Sequence, residues 1–231
     1  MIEAKDVVLT YPDGTEALRE VNLLIKPGEL VYITGPSGSG KTSLLKLLIG
    51  MEHPTGGELT VLGNRMEKGN NRELRRLRTA IGPVFQEFKL IEGRTALENV
   101  MMGMRFLEIA PKKIKSDAQE ALIKVGLGHK LYSRVEKLSW GEAQRVAIAR
   151  AVARKPSLIL ADEPTGNLDH DNAMNILEIL KSFLDKNTAV VITTHATHLI
   201  DGDPLATFVR VSNGYIKVEK AGGGRNEDSI L

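Results

Sequence analysis

Eight residues, "GPSGSGKT" at 35–42, constrain this chain more than any other stretch. They follow "LVYIT", an apolar run that reads as a strand. They open "KTSLLKLLIG", whose apolar spacing is helical and which stops at Gly50. Strand, glycine-rich loop and helix in that order give the phosphate-loop pattern the context it needs. Glycines let backbone amides turn inward around an anion, and the helix start adds its positive end. Gly35, Pro36, Ser37, Gly38, Ser39, Gly40 and Ser43 are therefore candidate phosphate-cradle residues. Lys41 is spaced to reach the β- and γ-phosphates, and the Thr42 hydroxyl to ligate Mg²⁺. A plain flexible turn is the alternative, but it does not explain the flanking strand and helix. The loop predicts binding of a nucleoside triphosphate.

The rest of the chain reads as an α/β fold around that loop. "EAKDVVLTY", "LREVNLLI" and "GELTVLG" have strand character, separated by "YPDGTEA" and "KPGE" turns. "NRELRRLR" reads as a short basic helix, either a solvated face or a contact for anionic lipid or acidic partner groups. From about 95 to 154 the pattern is mainly helical, with a break at "KVGLGHK". "SLILAD" and "AVVITT" are continuous apolar runs, as expected of parallel strands buried on both faces, with a helix at about 171–184 between them. The chain closes with "ATFVRVSNGYIKVEK", read as a hairpin turning at Asn213-Gly214, and a loose tail at 219–231.

Composition narrows the function classes. A chain of 231 residues suits one domain, or one with an inserted subdomain. At 42% hydrophobic it can bury a real core, and a net charge of +2 gives no global argument for nucleic acid. The absence of cysteine excludes disulfides, thiolate metal sites and a cysteine nucleophile. No apolar stretch approaches the roughly 18 residues that a membrane span requires. "MIEAKDVV" lacks a signal-peptide pattern. A soluble chain is expected, with any membrane role supplied by a partner.

Two further clusters carry chemistry. "SLILADEP" puts Asp162 and Glu163 at the carboxyl end of a buried strand, the edge where open α/β sheets bind ligands. Asp162 is a candidate Mg²⁺ organiser, and Glu163 a candidate base or orienter for an attacking water. An ordinary acidic loop is the alternative. "VVITTH" brings His195 to the same edge one strand later, where a lone histidine is more often structural than functional. In "KLSWGEAQ", Ser139 and Glu142 have the spacing of a capping box at a helix start.

With "GPSGSGKT", "LSWGEAQ", "LILADEP", "GNLD" and "TTH" in this order, residues 2–218 resemble the ATP-binding subunit of ABC transporters. The resemblance implies an ABC-type P-loop NTPase core, an antiparallel β subdomain and an inserted helical subdomain at about 89–155, within one ATP-binding domain at 1–218. It implies ATP hydrolysis with Mg²⁺, a head-to-tail homodimer in the ATP-bound state, and an integral membrane subunit as partner. The location implied is the cytoplasmic face of the membrane. Residue by residue, Tyr11 resembles the aromatic that stacks on adenine, and Gln86 the residue that senses Mg²⁺ and communicates with the membrane subunit. Glu163 resembles the catalytic glutamate, His195 the switch histidine at the γ-phosphate, and Asp169 a residue that crosses the dimer interface. For three of these simpler readings stay open: a strand-end aromatic for Tyr11, a loop amide for Gln86, and a turn residue or helix cap for Asp169. "RELRRLRTAIGPVFQEFKL" and "RTALENV" resemble most the cell-division, FtsE-type branch, whose partner is an FtsX-type membrane protein. Export of a lipoprotein or small molecule, and an ATP switch with little hydrolysis, are the rival readings.

The family's pattern at the signature turn is Leu-Ser-Gly-Gly-Glu/Gln. Leu138, Ser139, Gly141 and Glu142 match it; Trp140 and Ala143 depart from it. The resemblance implies that Ser139, Gly141 and Glu142 serve the ATP bound to the opposite subunit. Trp140, the single tryptophan, falls at the first helical position. Its indole is expected either at the dimer seam or packed sideways into the helical subdomain.

Overall fold

The computed structural model describes residues 1–69 and 71–220. Of the tail expected at 219–231, residues 219 and 220 complete the last strand, and the remainder lies outside the described residues. The chain begins with β1 (Ile2–Thr10), β2 (Glu16–Ile25), β3 (Leu30–Thr34) and α1 (Lys41–Ile49). β4 (Gly56–Val61), β5 (Asn64–Arg65), α2 (Asn71–Ala80) and β6 (Ile81–Val84) follow. Three helices come next: α3 (Ala96–Met102), α4 (Pro111–Lys124) and α5 (Trp140–Val152). The chain then returns to the sheet through β7 (Leu158–Asp162), α6 (His170–Lys181) and β8 (Ala189–Thr194), and ends in β9 (Ala206–Ser212) and β10 (Tyr215–Lys220).

Two sheets result. An antiparallel sheet has the order β2-β1-β4-β5, and a larger one the order β10-β9-β3-β8-β7-β6. In the larger sheet only β10 runs antiparallel to its neighbour. The continuous apolar strands are explained by burial on both faces. Leu30 and Tyr32 of β3 join the core with α3 to α6, whereas Val31 and Ile33 join the core with α1, α2 and the antiparallel sheet. β7 divides in the same way, with Ile159 and Ala161 on one side and Leu158 and Leu160 on the other.

Local chemistry accounts for several boundaries. Gly50 ends α1 in the left-handed conformation (φ 71°), and the guanidinium of Arg78 donates to the carbonyls of Ile49 and Gly50. The basic helix α2 buries Leu74 and Leu77 and leaves Arg72, Arg75 and Arg76 in solvent. Asn213 and Gly214 both have positive φ, as a two-residue hairpin turn requires. That turn braces the phosphate loop: the Gly214 amide donates to Ser39 O (3.1 Å), and the Arg19 amide donates to Gly214 O (2.9 Å).

Three features differ from the sequence reading. The helical stretch has a second break, at 103–110, where α4 restarts with Pro111 in its first turn. Helix α6 is capped by Asp169 and so starts at His170; it ends at Lys181, with residues 182 and 183 continuing only as turns. β1 is continuous but bulges at Asp6, whose φ of 48° accompanies a register shift against β2. Among the described residues, no helix is long and apolar enough to cross a membrane.

Candidate functional site

The carboxyl ends of β3, β7 and β8 converge on a cleft of about 930 Å³. Tyr11, residues 37–43, Gln86, Glu163, His195 and the 213–214 turn line it. The phosphate loop reaches its shape because two glycines sit where no side chain fits. A Cβ on Gly35 would lie 2.2 Å from Val211 O, and one on Gly40 would lie 2.6 Å from Ala17 O. Gly40, at φ 115°, starts α1 with no side-chain cap and no acidic residue in the first turn. The helix therefore leaves its first amides and the positive end of its dipole uncompensated at the cleft.

The charged side chains lie around this opening. Lys41, only 7% exposed, donates through Nζ to the carbonyls of Gly35 (2.8 Å) and Pro36 (3.0 Å) and lies 3.6 Å from Glu163 Oε1. Glu163 Oε2 is 2.8 Å from His195 Nδ1 and accepts the His195 amide at 3.2 Å. Asp162 Oδ1 accepts from Thr193 Oγ1 (2.7 Å) and faces Thr42 Oγ1 at 3.5 Å. The hydroxyl of Thr193 also accepts the Glu163 amide at 2.9 Å. Thr193 thus holds both acidic residues in place. Sequence reasoning missed it, although "VVITTH" offered two hydroxyls at the end of a buried strand.

Tyr11 Oη and Ser43 Oγ are 3.1 Å apart, and Lys46 Nζ sits 5.9 Å from the Tyr11 ring centre. Gln86 is exposed at the mouth of the cleft and also lines the adjoining groove with Thr42 and Asp162. Ser39 Oγ is buried without a hydrogen-bond partner. One protomer therefore brings together Tyr11, the loop, Gln86, Asp162, Glu163 and His195.

It does not bring the signature turn to them: Ser139, Gly141 and Glu142 are absent from the cleft lining. The capping box at this turn is formed in full. The Glu142 amide donates to Ser139 Oγ (3.3 Å), and the Ser139 amide donates to Glu142 Oε2 (2.9 Å). That amide contact, with Lys130 nearby, holds the Glu142 carboxyl below its ordinary range. Gly141 has no positive φ, and a Cβ there would make only an ordinary contact, 3.5 Å from Asn172 Oδ1. Nothing inside the protomer requires glycine at this position. Asp169 caps α6, accepting from the Asn172 amide (2.9 Å) and from Asn172 Nδ2 (2.7 Å). Trp140 packs against segments outside the helical subdomain expected at about 89–155: its ring meets Phe88 edge-on at 4.5 Å between centroids, and Nε1 donates to Gly166 O at 3.3 Å. It nevertheless stays 48% exposed.

Known proteins share the fold and much of the sequence. The family model described as ABC transporter matches residues 18–166. The cell division ATP-binding protein FtsE of Streptococcus pneumoniae serotype 2 is 39% identical over 201 residues, which cover 87% of each chain. FtsE of Haemophilus influenzae is 37% identical over 218 residues, covering 94% of this chain and 100% of its own. Among solved structures, the ATP-binding cassette MJ0796, as a post-hydrolysis dimer bound to ADP and Pi, superimposes with a TM-score of 0.84. It is 35% identical and covers 97% of this chain and 100% of its own. The chain belongs to the ABC transporter family, as an ATP-binding subunit that resembles FtsE.

Proposed function

We propose that this subunit hydrolyses ATP at a site shared between two copies, and that it passes the cycle to an FtsX-like membrane protein in cell division and cell-wall remodelling. The observation that carries the reading is the convergence of Lys41, Thr42, Asp162, Glu163 and His195 at one sheet edge, beside an uncapped helix start. In it, residues 1–218 act as one ATP-binding domain, with a helical subdomain at about 89–155 that carries the signature turn. The subunit works at the cytoplasmic face of the membrane through its partner. FtsE-like relatives support the cell-division role.

The residues fit Mg²⁺. It is a hard cation that takes a few protein oxygens and completes its shell with phosphate and water. Thr42 Oγ1 and Asp162 Oδ1, 3.5 Å apart, would hold it, with the Gln86 carboxamide at the rim. Among the described residues, no cluster of three or more His, Cys, Asp or Glu side chains forms an all-protein metal cage. Bound there, Mg²⁺ neutralises phosphate charge.

The chain's own groups supply the rest. The α1 amides and Lys41 bind the phosphates; a phosphate oxygen is a stronger acceptor than the Gly35 and Pro36 carbonyls that Lys41 now engages. Tyr11 meets the base. Glu163, oriented by His195, takes a proton from the attacking water as the new bond to the γ-phosphorus forms and the bond to the bridging oxygen breaks. Ser139 and Gly141 of the second copy, with Glu142 holding their turn, approach the γ-phosphate from outside. This accounts for a glycine that the protomer itself does not need. Asp169 lies on the exposed loop that meets the other copy.

Glu163→Gln tests the chemistry. ATP binding is retained while turnover falls by about 10²- to 10⁴-fold, the range for loss of a general base. Near-normal turnover would reject Glu163 in that role. Co-purification of this variant from native membranes with ATP tests the partner. An FtsX-like protein with a handful of predicted spans and an extracytoplasmic loop domain supports the cell-division role, whereas an export permease would overturn that role and leave the site intact.

A further inference from the structure

We infer that Trp140 is a positioning residue, tying the segment that carries Gln86 to the turn that carries Glu163 within one protomer; the inference rests on the ATPase reading above. Two contacts of a single side chain support it. The indole N–H donates to Gly166 O (3.3 Å), and the Gly166 amide donates to Glu163 O (3.1 Å), closing the four-residue turn that begins at Glu163. Glu163 itself sits at φ 45°, a conformation that a non-glycine residue keeps only when its surroundings impose it. On its other side the indole meets the Phe88 ring at 61° and 4.5 Å, an edge-to-face arrangement favoured by ring electrostatics. Phe88 is two residues beyond Gln86.

Helix α5 grips the same segment again further along. Arg150, largely buried, donates through its guanidinium to the carbonyls of Phe88 and Lys89. The 86–89 segment is thus anchored twice on α5, by a ring at the helix start and by a guanidinium near its end. Only the first anchor also reaches the Glu163 turn. With glycine at 140, both contacts of the indole vanish together, and the Gln86 segment and the Glu163 turn lose their direct side-chain connection. Trp140 is not among the residues lining the ATP cleft, so its effect falls on the rate step that needs Glu163 and Gln86 in register, not on ATP capture by the loop.

The test uses the full chain with Mg-ATP and compares wild type, Trp140→Gly, Trp140→Phe and Phe88→Leu. Trp140→Gly lowers kcat about tenfold with KM for ATP within about twofold, since one hydrogen bond and one ring contact are lost. Trp140→Phe keeps a ring against Phe88 but not the donor, and recovers part of that loss. Because the chain holds a single tryptophan, its emission reports the surroundings of this one indole. Phe88→Leu changes that emission in the nucleotide-free protein and lowers kcat in the same direction. Thermal melts establish that each variant is folded. Wild-type kcat in folded Trp140→Gly, a rise in KM with no fall in kcat, or unchanged emission in Phe88→Leu would each overturn the inference. If the wild type itself fails to turn over Mg-ATP, the ATPase reading falls instead.

Discussion

Helix α1 starts behind a glycine and α5 behind a serine, and the two starts leave different groups available. At α1, Gly40 supplies no side-chain acceptor, and helix geometry leaves the amides of Lys41, Thr42 and Ser43 without intrahelical partners. At α5, Ser139 and Glu142 satisfy each other's amides, leaving those of Trp140 and Gly141 together with the unused proton of the Ser139 hydroxyl. The α1 start is enclosed by a cleft with Lys41, Glu163 and His195 around it; the α5 start faces outward. A helix start lying in a charged cleft is built to receive an anion by itself. A start that is already capped holds its shape without ligand and offers a smaller set of donors to one that arrives from elsewhere. That difference is the physical basis on which the proposed two-copy site rests.

Removing the enclosed half has the largest expected effect. Lys41→Ala deletes the buried cation of the cleft, so turnover is lost and ATP affinity falls as well, at least about tenfold, read by titration with a fluorescent nucleotide. Unchanged affinity would mean that the α1 amides suffice and that the lysine serves only the loop carbonyls. Gly141→Asp addresses the outward half and separates folding from function. An acidic residue in the first turn favours the helix dipole, and a Cβ at 141 makes only ordinary contacts with Asn172 and Leu168, so stability changes by less than about 1 kcal/mol in a denaturant melt. A carboxylate facing the incoming γ-phosphate repels it, so turnover is lost while ATP binding to the α1 half persists. A folded Gly141→Asp that hydrolyses ATP normally would remove the signature turn from the site.

The sequence made the two halves unequally legible. The phosphate loop could be read because its chemistry is local: glycines, lysine and threonine lie within eight positions between a strand and a helix. The capping box and the Asn213-Gly214 hairpin were legible for the same reason, each needing only residues a few positions apart. The doubly buried strands announced themselves as unbroken apolar runs. Thr193 was not legible as a support for Asp162 and Glu163. Its contact depends on the register of β7 against β8, which pairs Asp162 with Thr193. The partners of Trp140 were hidden likewise, since Phe88 and Gly166 come from segments far apart in the chain and meet only through packing. The break at 103–110 escaped because the surrounding pattern stays apolar, with Met104 fully buried inside the break itself.

One mixing experiment tests the two-copy site most directly. Lys41→Ala lacks the enclosed half and Gly141→Asp the outward half, so neither alone turns over ATP. In a head-to-tail dimer of the two, the intact α1 half of one copy meets the intact signature turn of the other. Equal mixing therefore restores turnover, up to about a quarter of the wild-type rate if half of the dimers are mixed and each holds one good site. No recovery on mixing, with dimers demonstrably formed, would contradict the shared site and require each copy to hydrolyse ATP alone.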